Sequence, residues 1–299
     1  MYVLNLILYY GVILPLSCLP LRVLYIFSDG LYLLVYYIAG YRKKVVTENI
    51  YKSFPEKSEA EKRAIIREFY RHFCDTLVES LKCFTISREE ASKRMKAEDM
   101  TEISQSFADG KSAILAGGHL NNWELFAIAA DMYIPHQAIA IYSPLKNRLF
   151  DEKMRSTRGK YGLKLIPMKQ IGLYLSHHRE QLTATIFAMD QSPSNPHKSY
   201  WMEFLNQDTS VFLGAERYAV KFNMPVYYGR IYKIKRGYYS FNLIKVCDDP
   251  SKTSPGDITV AITKKLEEDI RIQPAYWLWS HRRWKRSRPP GYTFSPARG

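Results

Sequence analysis

One short segment, GGHLNNWE at residues 117–124, combines residue types that could perform acid–base chemistry. His119 carries an imidazole, a group whose ordinary pKa lies near neutrality, so it can take a proton from a substrate. Glu124 follows five residues later, and a carboxylate that binds one imidazole nitrogen leaves the other free as a base. No serine or cysteine lies beside His119. The pattern therefore favours direct deprotonation of a substrate hydroxyl over an enzyme-bound acyl intermediate.

The residues around this pair determine whether the two side chains can meet. Residues 112–116 predict a buried strand, and the two glycines that follow predict a tight turn at its carboxyl end. Either asparagine of the segment can cap a following helix. On one continuous helix, residues five apart point about 140° away from each other, so His119 must precede the helix for Glu124 to reach it. The alternative is an ordinary turn with a structural histidine, because short motifs also match by chance.

From about residue 112, strand-like and helix-like patterns alternate along the chain. Apolar runs typical of strands occupy residues 113–116, 138–142, 163–166 and 183–189, and helical patterns lie near 122–133, 146–161 and 168–178. A hairpin is expected over residues 226–246 and a last long helix over about 257–272. This order predicts an α/β fold with a mixed, largely parallel central sheet flanked by helices. Ligands of such sheets bind at the carboxyl ends of the strands, where His119 is expected.

The N-terminus is strongly apolar. Residues 1–21 contain no charged side chain, which is just long enough to cross a bilayer core of about 30 Å as a helix, although two prolines weaken its last turns. A second apolar run at residues 31–39 is too short to span alone and could lie in the interface. The segment lacks the basic start of a signal peptide, and a buried core helix is the remaining alternative.

Basic residues follow the first apolar run at position 22 and the second at positions 42–44, and they predict that residues 42–299 lie in the cytoplasm. We therefore expect two parts. Residues 1–41 would form a hydrophobic membrane-anchor helix with an interfacial segment, and residues 42–299 would form an enzyme domain on the cytoplasmic side.

The overall charge indicates an anionic partner. The 299 residues include 43 lysines and arginines against 29 aspartates and glutamates, a formal net charge of +14. Nucleic acid, an anionic membrane surface, an acidic protein or a phosphorylated lipid would each fit. The four cysteines form no C-x-x-C pair and the histidines lack metal-ligand spacing, so we expect no metal site. Neither phosphate-binding glycine motifs nor G-x-S-x-G occur, which gives no support to nucleotide binding or serine-hydrolase chemistry.

The segment GHLNNWE resembles the G-H-x-x-N-W-E signature of the lipid A biosynthesis late acyltransferase family, which is related to the lysophospholipid acyltransferases with an H-x-x-x-x-D/E motif. Further blocks resemble the same family along nearly the whole chain. They are PLR at 20–22, Asn49 with Phe54-Pro55, YSPLKN at 142–147, RGKYG at 158–162, Ile166-Pro167, Asp190-Gln191, Pro274 and WLWSHRRWK at 277–285. The family's F-F-G segment is FLN here, and Asn206 can take the left-handed conformation that glycine allows.

The resemblance implies an enzyme of the bacterial inner membrane with its catalytic domain on the cytoplasmic side. Such an enzyme transfers a fatty acyl chain from acyl carrier protein, or less often coenzyme A, to a hydroxyl of a lipid A precursor, without a cofactor. The resemblance makes His119 the general base, Glu124 its orienting partner and Arg158 a stabiliser of negative charge. The residues expected to bind substrate or support its binding are Asn122, Trp123, Asn147, Asp190 and Gln191.

The C-terminal basic block offers a use for the charge. Arg282, Arg283 and Lys285 would form a basic surface that attracts the acidic carrier protein, the phosphorylated lipid acceptor and the membrane, unless the block is only a solvated tail. Two other functions stay open. The same chemistry could acylate an aminolipid or a lysophospholipid, or the chain could be a membrane-tethered polyanion-binding protein that needs no His119. The motif blocks lie in the predicted α/β core rather than the tail, so we expect no nucleic-acid partner.

Overall fold

The computed structural model describes residues 2–294 and shows a central sheet with helices on both faces. The strands are β1 Met95–Ala97, β2 Ala113–Gly117, β3 Gln137–Tyr142, β4 Lys164–Pro167, β5 Thr183–Ala188, β6 Tyr200–Phe204, β7 Gln207–Val211, β8 Val226–Lys235 and β9 Tyr238–Cys247. The α-helices are α1 Tyr2–Leu8, α2 Leu14–Cys18, α3 Leu21–Leu33, α4 Lys43–Ser53, α5 Glu59–Lys82, α6 Arg88–Arg94, α7 Thr101–Ala108, α8 Trp123–Ala129, α9 Arg148–Gly159, α10 Ile171–His177, α11 Gly214–Phe222 and α12 Asp257–Ile272.

The main sheet has seven strands in the order β1-β9-β8-β2-β5-β3-β4. Neighbouring strands are parallel except for the β8–β9 hairpin, which is antiparallel. The predicted mixed, largely parallel α/β fold is therefore confirmed. Strands β6 and β7 form a separate antiparallel pair, whose turn places Asn206 at a φ of 60°. The left-handed conformation expected at Asn206 is thus present.

The sheet separates two cores. Along β2, Ile114 and Ala116 belong to the core shared with α4, α5 and α12, while Ala113 and Leu115 belong to the core shared with α8. Alternate side chains of a strand point to opposite faces, so a strand buried on both faces must be apolar throughout. This explains the uninterrupted apolar run that predicted β2, which is the central strand of the seven.

The N-terminal helices differ from the expected single span over residues 1–21. Helical turns continue from α1 through a π turn at Tyr9–Ile13 to the end of α2, and the chain then breaks. Pro20 cannot donate a backbone hydrogen bond and restricts the residue before it, which ends the helix at Cys18. Among the described residues, Leu21–Ile38 is the one helical stretch apolar and long enough to be a candidate anchor, with a mean hydropathy of 1.4 over 18 residues.

This candidate anchor comprises α3 and a π turn at Leu34–Ile38. It absorbs most of the apolar run predicted as a separate interfacial segment. One of its faces is exposed, with Ile26 at 71% and Ile38 at 77% exposure. The division between an anchor of residues 1–41 and an enzyme domain of residues 42–299 stays a prediction, and residues 1 and 295–299 lie outside the described part.

Candidate active site

The site begins where two neighbouring parallel strands end. Gly117, the last residue of β2, is paired with Ala188, the last residue of β5. Two positions further along each chain, His119 meets Asp190. The register of the sheet therefore joins residues that are 71 positions apart in the sequence.

Gly118 makes the close approach of these two loops possible. A Cβ atom at this position would lie 2.8 Å from Leu266 Cδ2 and 3.1 Å from Asp190 Cγ. Both distances are shorter than ordinary carbon contacts of about 3.5–4.0 Å. The second glycine of the segment is thus required by space, in addition to any role in the turn.

The Asp190 carboxylate accepts three hydrogen bonds in a nearly fully buried position. Its Oδ1 lies 2.7 Å from His119 Nδ1, and its Oδ2 accepts from the His119 backbone N–H at 2.7 Å and from Trp277 Nε1 at 2.8 Å. An ionised carboxylate only accepts hydrogen bonds, so Nδ1 carries the proton and Nε2 holds the lone pair. Among residues 2–294, no group forms a hydrogen bond with Nε2.

Burial and pairing act in opposite directions on the pKa values of this pair. Burial raises the pKa of the Asp190 carboxyl, but the His119 ring and the donated hydrogen bonds outweigh it and lower the pKa to about 2. Burial lowers the pKa of His119, yet the Asp190 charge and hydrogen bond outweigh it and raise this pKa above its ordinary 6.5. Asp190 is thus anionic at neutral pH, and His119 becomes a neutral base as pH rises through its raised pKa.

Glu124 forms an ion pair with Arg158 instead of the expected hydrogen bond to His119. The pair is bidentate, with Arg158 Nε 2.9 Å from Oε2 and Nη2 2.5 Å from Oε1. Glu124 stands in the first turn of α8, and Arg158 reaches it from the last turn of α9. The expected His119–Glu124 contact is therefore wrong, because the sheet register supplies Asp190 to the histidine and α9 supplies an arginine to the glutamate.

The two asparagines before α8 hold the loop. Asn121 has a φ of 58° and donates through its side chain to the Ile231 carbonyl at 2.7 Å. Asn122 caps α8, because its Oδ1 accepts from the Leu125 backbone N–H at 2.8 Å. Asn122 is fully buried, so the expectation that it binds substrate is corrected: its side chain orders the loop.

The remaining expected substrate-binding residues fall in different places. Trp123 packs edge to face against His119, with ring centroids 5.2 Å apart. Asn147 caps α9 through the Phe150 N–H at 3.3 Å, and Gln191 is exposed on the loop after Asp190. Of these three side chains, only Trp123 lines the cavity beside His119.

This cavity has a volume of about 230 Å³. Its polar lining includes His119, Glu124, Arg158 and Tyr142, and its apolar lining comes from strands β2 to β5 and β8 and from α8. The apolar lining residues are Leu115, Ala116, Phe126, Ala127, Ala140, Ile141, Leu165, Ile186, Phe187, Ala188 and Ile231. A base, a cation and an apolar wall thus meet in one space. Within the described part of the chain, no group of three or more His, Cys, Asp or Glu side chains could hold a metal ion.

The basic surface expected from the C-terminal block is divided. Arg282 and Lys285 are exposed and line a groove of about 310 Å³ with Lys44, Lys52 and Glu48 of α4. Four basic side chains and one carboxylate leave this groove net positive. Arg283 is only 2% exposed and donates to the Ser210 carbonyl at 2.6 Å. Burial lowers its pKa to about 10, although Asp190 opposes this effect. The expectation that Arg283 belongs to the surface is therefore corrected.

Two residues at the site have structural roles that the sequence did not predict. Asp190 was expected to bind or support substrate, and it is instead the partner of His119. Trp277, expected only as part of a family block, donates to that carboxylate. The available signal was the position of Asp190 directly after an apolar strand, which mirrors the position of His119.

The sequence matches the family model described as bacterial lipid A biosynthesis acyltransferase over residues 2–286. It is also 25% identical, over 298 aligned positions, to the lipid A biosynthesis lauroyltransferase of Escherichia coli (strain K12). That alignment covers 94% of this chain and 91% of the bacterial protein.

Proposed function

The chain belongs to the bacterial lipid A biosynthesis acyltransferase family, and from this premise we propose that it transfers a fatty acyl chain from acyl carrier protein, or acyl-coenzyme A, to a hydroxyl of a lipid A precursor with His119 as the general base. The family supports the coarser statement that the protein is an acyltransferase of lipid A. One observation carries the finer proposal: the anionic Asp190 holds Nδ1 of a histidine that lines an apolar cavity.

The proposed reaction needs one proton acceptor and one stabiliser of negative charge. Nε2 of His119 takes the proton of the acceptor hydroxyl as its oxygen attacks the thioester carbonyl. The tetrahedral intermediate then collapses, the carbon–sulfur bond breaks, and the thiol leaves with the proton returned by the imidazolium. Asp190 stabilises that imidazolium and keeps the ring in the required tautomer.

Arg158 is the cation we propose to stabilise the oxyanion. Two of its guanidinium nitrogens are bound to Glu124, which leaves Nη1 without a hydrogen-bond partner among residues 2–294. A fixed donor aimed at developing charge in a site with little water is worth more than in bulk solvent. Glu124 then acts on Arg158 by holding the guanidinium plane, a change from the role that the sequence suggested.

The apolar lining of the cavity suits the hydrocarbon chain of the donor, because burial of each methylene contributes about 0.8 kcal/mol. For the carrier and the acceptor, we propose that the groove of Lys44, Lys52, Arg282 and Lys285 attracts acidic protein and lipid phosphate groups. The family is membrane-associated. We place the protein at the bacterial inner membrane, with the site on the cytoplasmic side.

The decisive experiment compares donors and acceptors with the purified full-length protein. Acyl carrier protein or coenzyme A loaded with one acyl chain is offered with a lipid A precursor, an aminolipid or a lysophospholipid, and products are identified by mass spectrometry. We expect a lipid A species heavier by one acyl chain, and cells without the gene should lack that chain. Transfer only to an aminolipid or a lysophospholipid would reject the acceptor, and salt-sensitive DNA binding without any transfer would favour a polyanion-binding protein.

A further inference from the structure

A second buried carboxylate, Glu79 of α5, contacts the loop of the candidate site through the side chain of Asn122. It is only 5% exposed, and three side chains donate to it. Tyr25 donates its hydroxyl to Oε1 at 2.8 Å, while Tyr239 at 2.8 Å and Asn122 Nδ2 at 2.6 Å donate to Oε2. The three donors come from α3, from β9 and from the loop that follows His119. Glu79 therefore joins the candidate membrane helix to the loop of the site.

The orientation of the Asn122 amide is determined at its other end. Its Oδ1 accepts from the Leu125 N–H, one of the unpaired N–H groups at the start of α8. The Nδ2 donor must then face Glu79, and a buried donor needs an acceptor there. Trp123 and Glu124 follow Asn122 directly, so a shift of this amide would move two side chains that line the cavity.

The side of α3 that carries Tyr25 is polar, although the helix is apolar overall. Ser28 donates to Asp75 at 2.7 Å, and Arg236 lies 2.6 Å from both Asp29 and Asp75. The Arg236 guanidinium also covers the Tyr25 ring at 4.4 Å. This polar side is bound to α5 and to the β8–β9 hairpin, which leaves the exposed apolar side for lipid.

The Tyr25 hydroxyl is also confined by the hairpin. Gly237 has a φ of 73°, and a Cβ atom there would lie 1.9 Å from the Tyr25 hydroxyl oxygen. The backbone of the turn thus fits against the hydroxyl that reaches Glu79. Tyr25 occupies one defined position when α3 is docked, and it cannot reach Glu79 when α3 is displaced.

We propose that Glu79 is a positioning residue that links the docking of α3, through Tyr25, to the placement of Asn122 and hence of the α8 N-terminus in the site. This inference rests on the proposed acyl transfer for its activity readout, whereas its structural part does not. Burial raises the pKa of Glu79, and the three donated hydrogen bonds oppose that effect. The geometry itself requires hydrogen-bond acceptors at position 79, because all three neighbours donate to it. A neutral glutamine can preserve the network by accepting from Asn122 and donating to the Tyr25 oxygen.

The test exchanges donor and acceptor. Aspartate caps helices about as well as asparagine, so Asn122→Asp retains the cap but turns a carboxylate oxygen towards Glu79. We expect kcat to fall by about 10-fold or more with KM nearly unchanged, because two buried acceptors then oppose each other. Adding Glu79→Gln supplies a donor to Asp at position 122, and the double variant should recover kcat to within about three-fold of wild type.

A second measurement is independent of catalysis. Amide hydrogen exchange of residues 120–127 should be faster in N122D and return to the wild-type rate in N122D/E79Q. If the wild-type protein transfers no acyl chain to lipid A precursors, the proposed function fails. The exchange rates still test whether Glu79 positions Asn122 and the start of α8. If N122D has the kcat and the amide exchange rates of the wild-type protein, Asn122 is only a helix cap and the proposal fails. The proposal also fails if N122D loses activity and adding E79Q does not restore it.

The contribution of α3 is tested with a matched tyrosine pair. Tyr25→Phe removes one donor to Glu79, and we expect kcat to fall by about 3- to 10-fold with faster exchange at residues 120–127. Tyr37→Phe removes a hydroxyl from the same helical stretch at a position that is 62% exposed, and it should match wild type. Equal kcat and equal exchange rates in the two tyrosine variants would contradict the link to α3. This comparison does not depend on whether N122D folds.

Discussion

Asp190 lies opposite His119 because each residue stands two positions beyond the paired ends of the neighbouring strands β5 and β2. The loop lengths after the strands are therefore matched, and the backbone N–H of His119 donates to the same carboxylate as its ring. A histidine held at two points has little rotational freedom. Its free nitrogen consequently keeps one direction relative to the cavity, which is the property that a general base needs.

The first prediction concerns pH. Asp190 raises the pKa of His119, and the neutral ring is the base, so the wild-type kcat/KM should increase as pH rises through that raised pKa. Asp190→Asn should shift this ascending limb to lower pH because the raising charge is lost. The maximal rate should also fall by about 10²–10⁴, since the ring tautomer is no longer fixed. The pH dependence of kcat/KM for both proteins checks this.

Asp208→Asn is the matched control for that variant. Asp208 is about half exposed and pairs with Arg288 at the surface, so its removal should leave the profile unchanged. If the ascending limb of the kcat/KM profile lies at the same pH in D190N as in wild type, His119 is not the titrating base.

The second prediction separates the charge of Arg158 from its ion pair. Arg158→Lys keeps the charge but loses the two-point contact with Glu124, and we expect kcat to fall by about 10²–10³. The exchange variant Glu124→Arg/Arg158→Glu should regain much of the thermal stability lost in the single Arg158→Glu variant, because the partly buried ion pair is restored. It should stay inactive, because the cation has moved to α8. Recovery of activity in the exchange variant would show that the pair is purely structural.

The sequence predicts the scaffold of this site better than its contacts. The apolar runs before His119 and Asp190 locate β2 and β5 closely, because a strand covered on both faces must be apolar. Their pairing depends on the order of strands in the sheet, which no local pattern contains. Proximity along the chain pairs Glu124 with His119. In space, His119 binds Asp190, two residues beyond β5, and Glu124 binds Arg158 of α9. The burial of Arg283 also depends on tertiary packing, so the basic run that contains it does not predict it.

The third prediction tests the space at Gly118. An alanine Cβ would meet Leu266 of α12 and Asp190, and both are held in a close-packed interior that cannot shift freely. We expect Gly118→Ala to lower the free energy of unfolding by about 1–3 kcal/mol and to reduce kcat, because Asp190 is displaced. Denaturant unfolding and initial rates measure the two effects.

Two further variants complete this test. Gly159 is the last residue of α9, and apart from its chain neighbours and the backbone of its own helix nothing described lies within 4 Å of an added Cβ atom. Gly159→Ala should therefore be neutral or slightly stabilising. Leu266→Ala combined with Gly118→Ala should recover kcat, because it restores room for the new methyl group, even where the smaller core lowers stability. No recovery would place the steric cause elsewhere.

The fourth prediction concerns the apolar face of α3. Ile26 is 71% and Phe27 54% exposed, and exposed apolar faces mark sites that bind a membrane or another protein. We expect lipid to cover this face, because it belongs to the candidate anchor. Ile26→Ser/Phe27→Ser should weaken membrane binding by about 10-fold or more, because each large apolar side chain contributes about 1.5–3 kcal/mol when it leaves water. Co-sedimentation with vesicles of bacterial lipid composition measures the change.

The folded part of the same variant should be unaffected, since neither side chain belongs to a buried core. Thermal unfolding in detergent should therefore match wild type, and acyl transfer to a detergent-solubilised acceptor should persist because Tyr25 still reaches Glu79. Leu173→Ser removes a side chain that is 62% exposed on α10, far along the chain from α3, and it serves as the control for replacing an exposed apolar side chain by serine. Equal vesicle binding of the double α3 variant and this control would show that α3 does not contact the membrane.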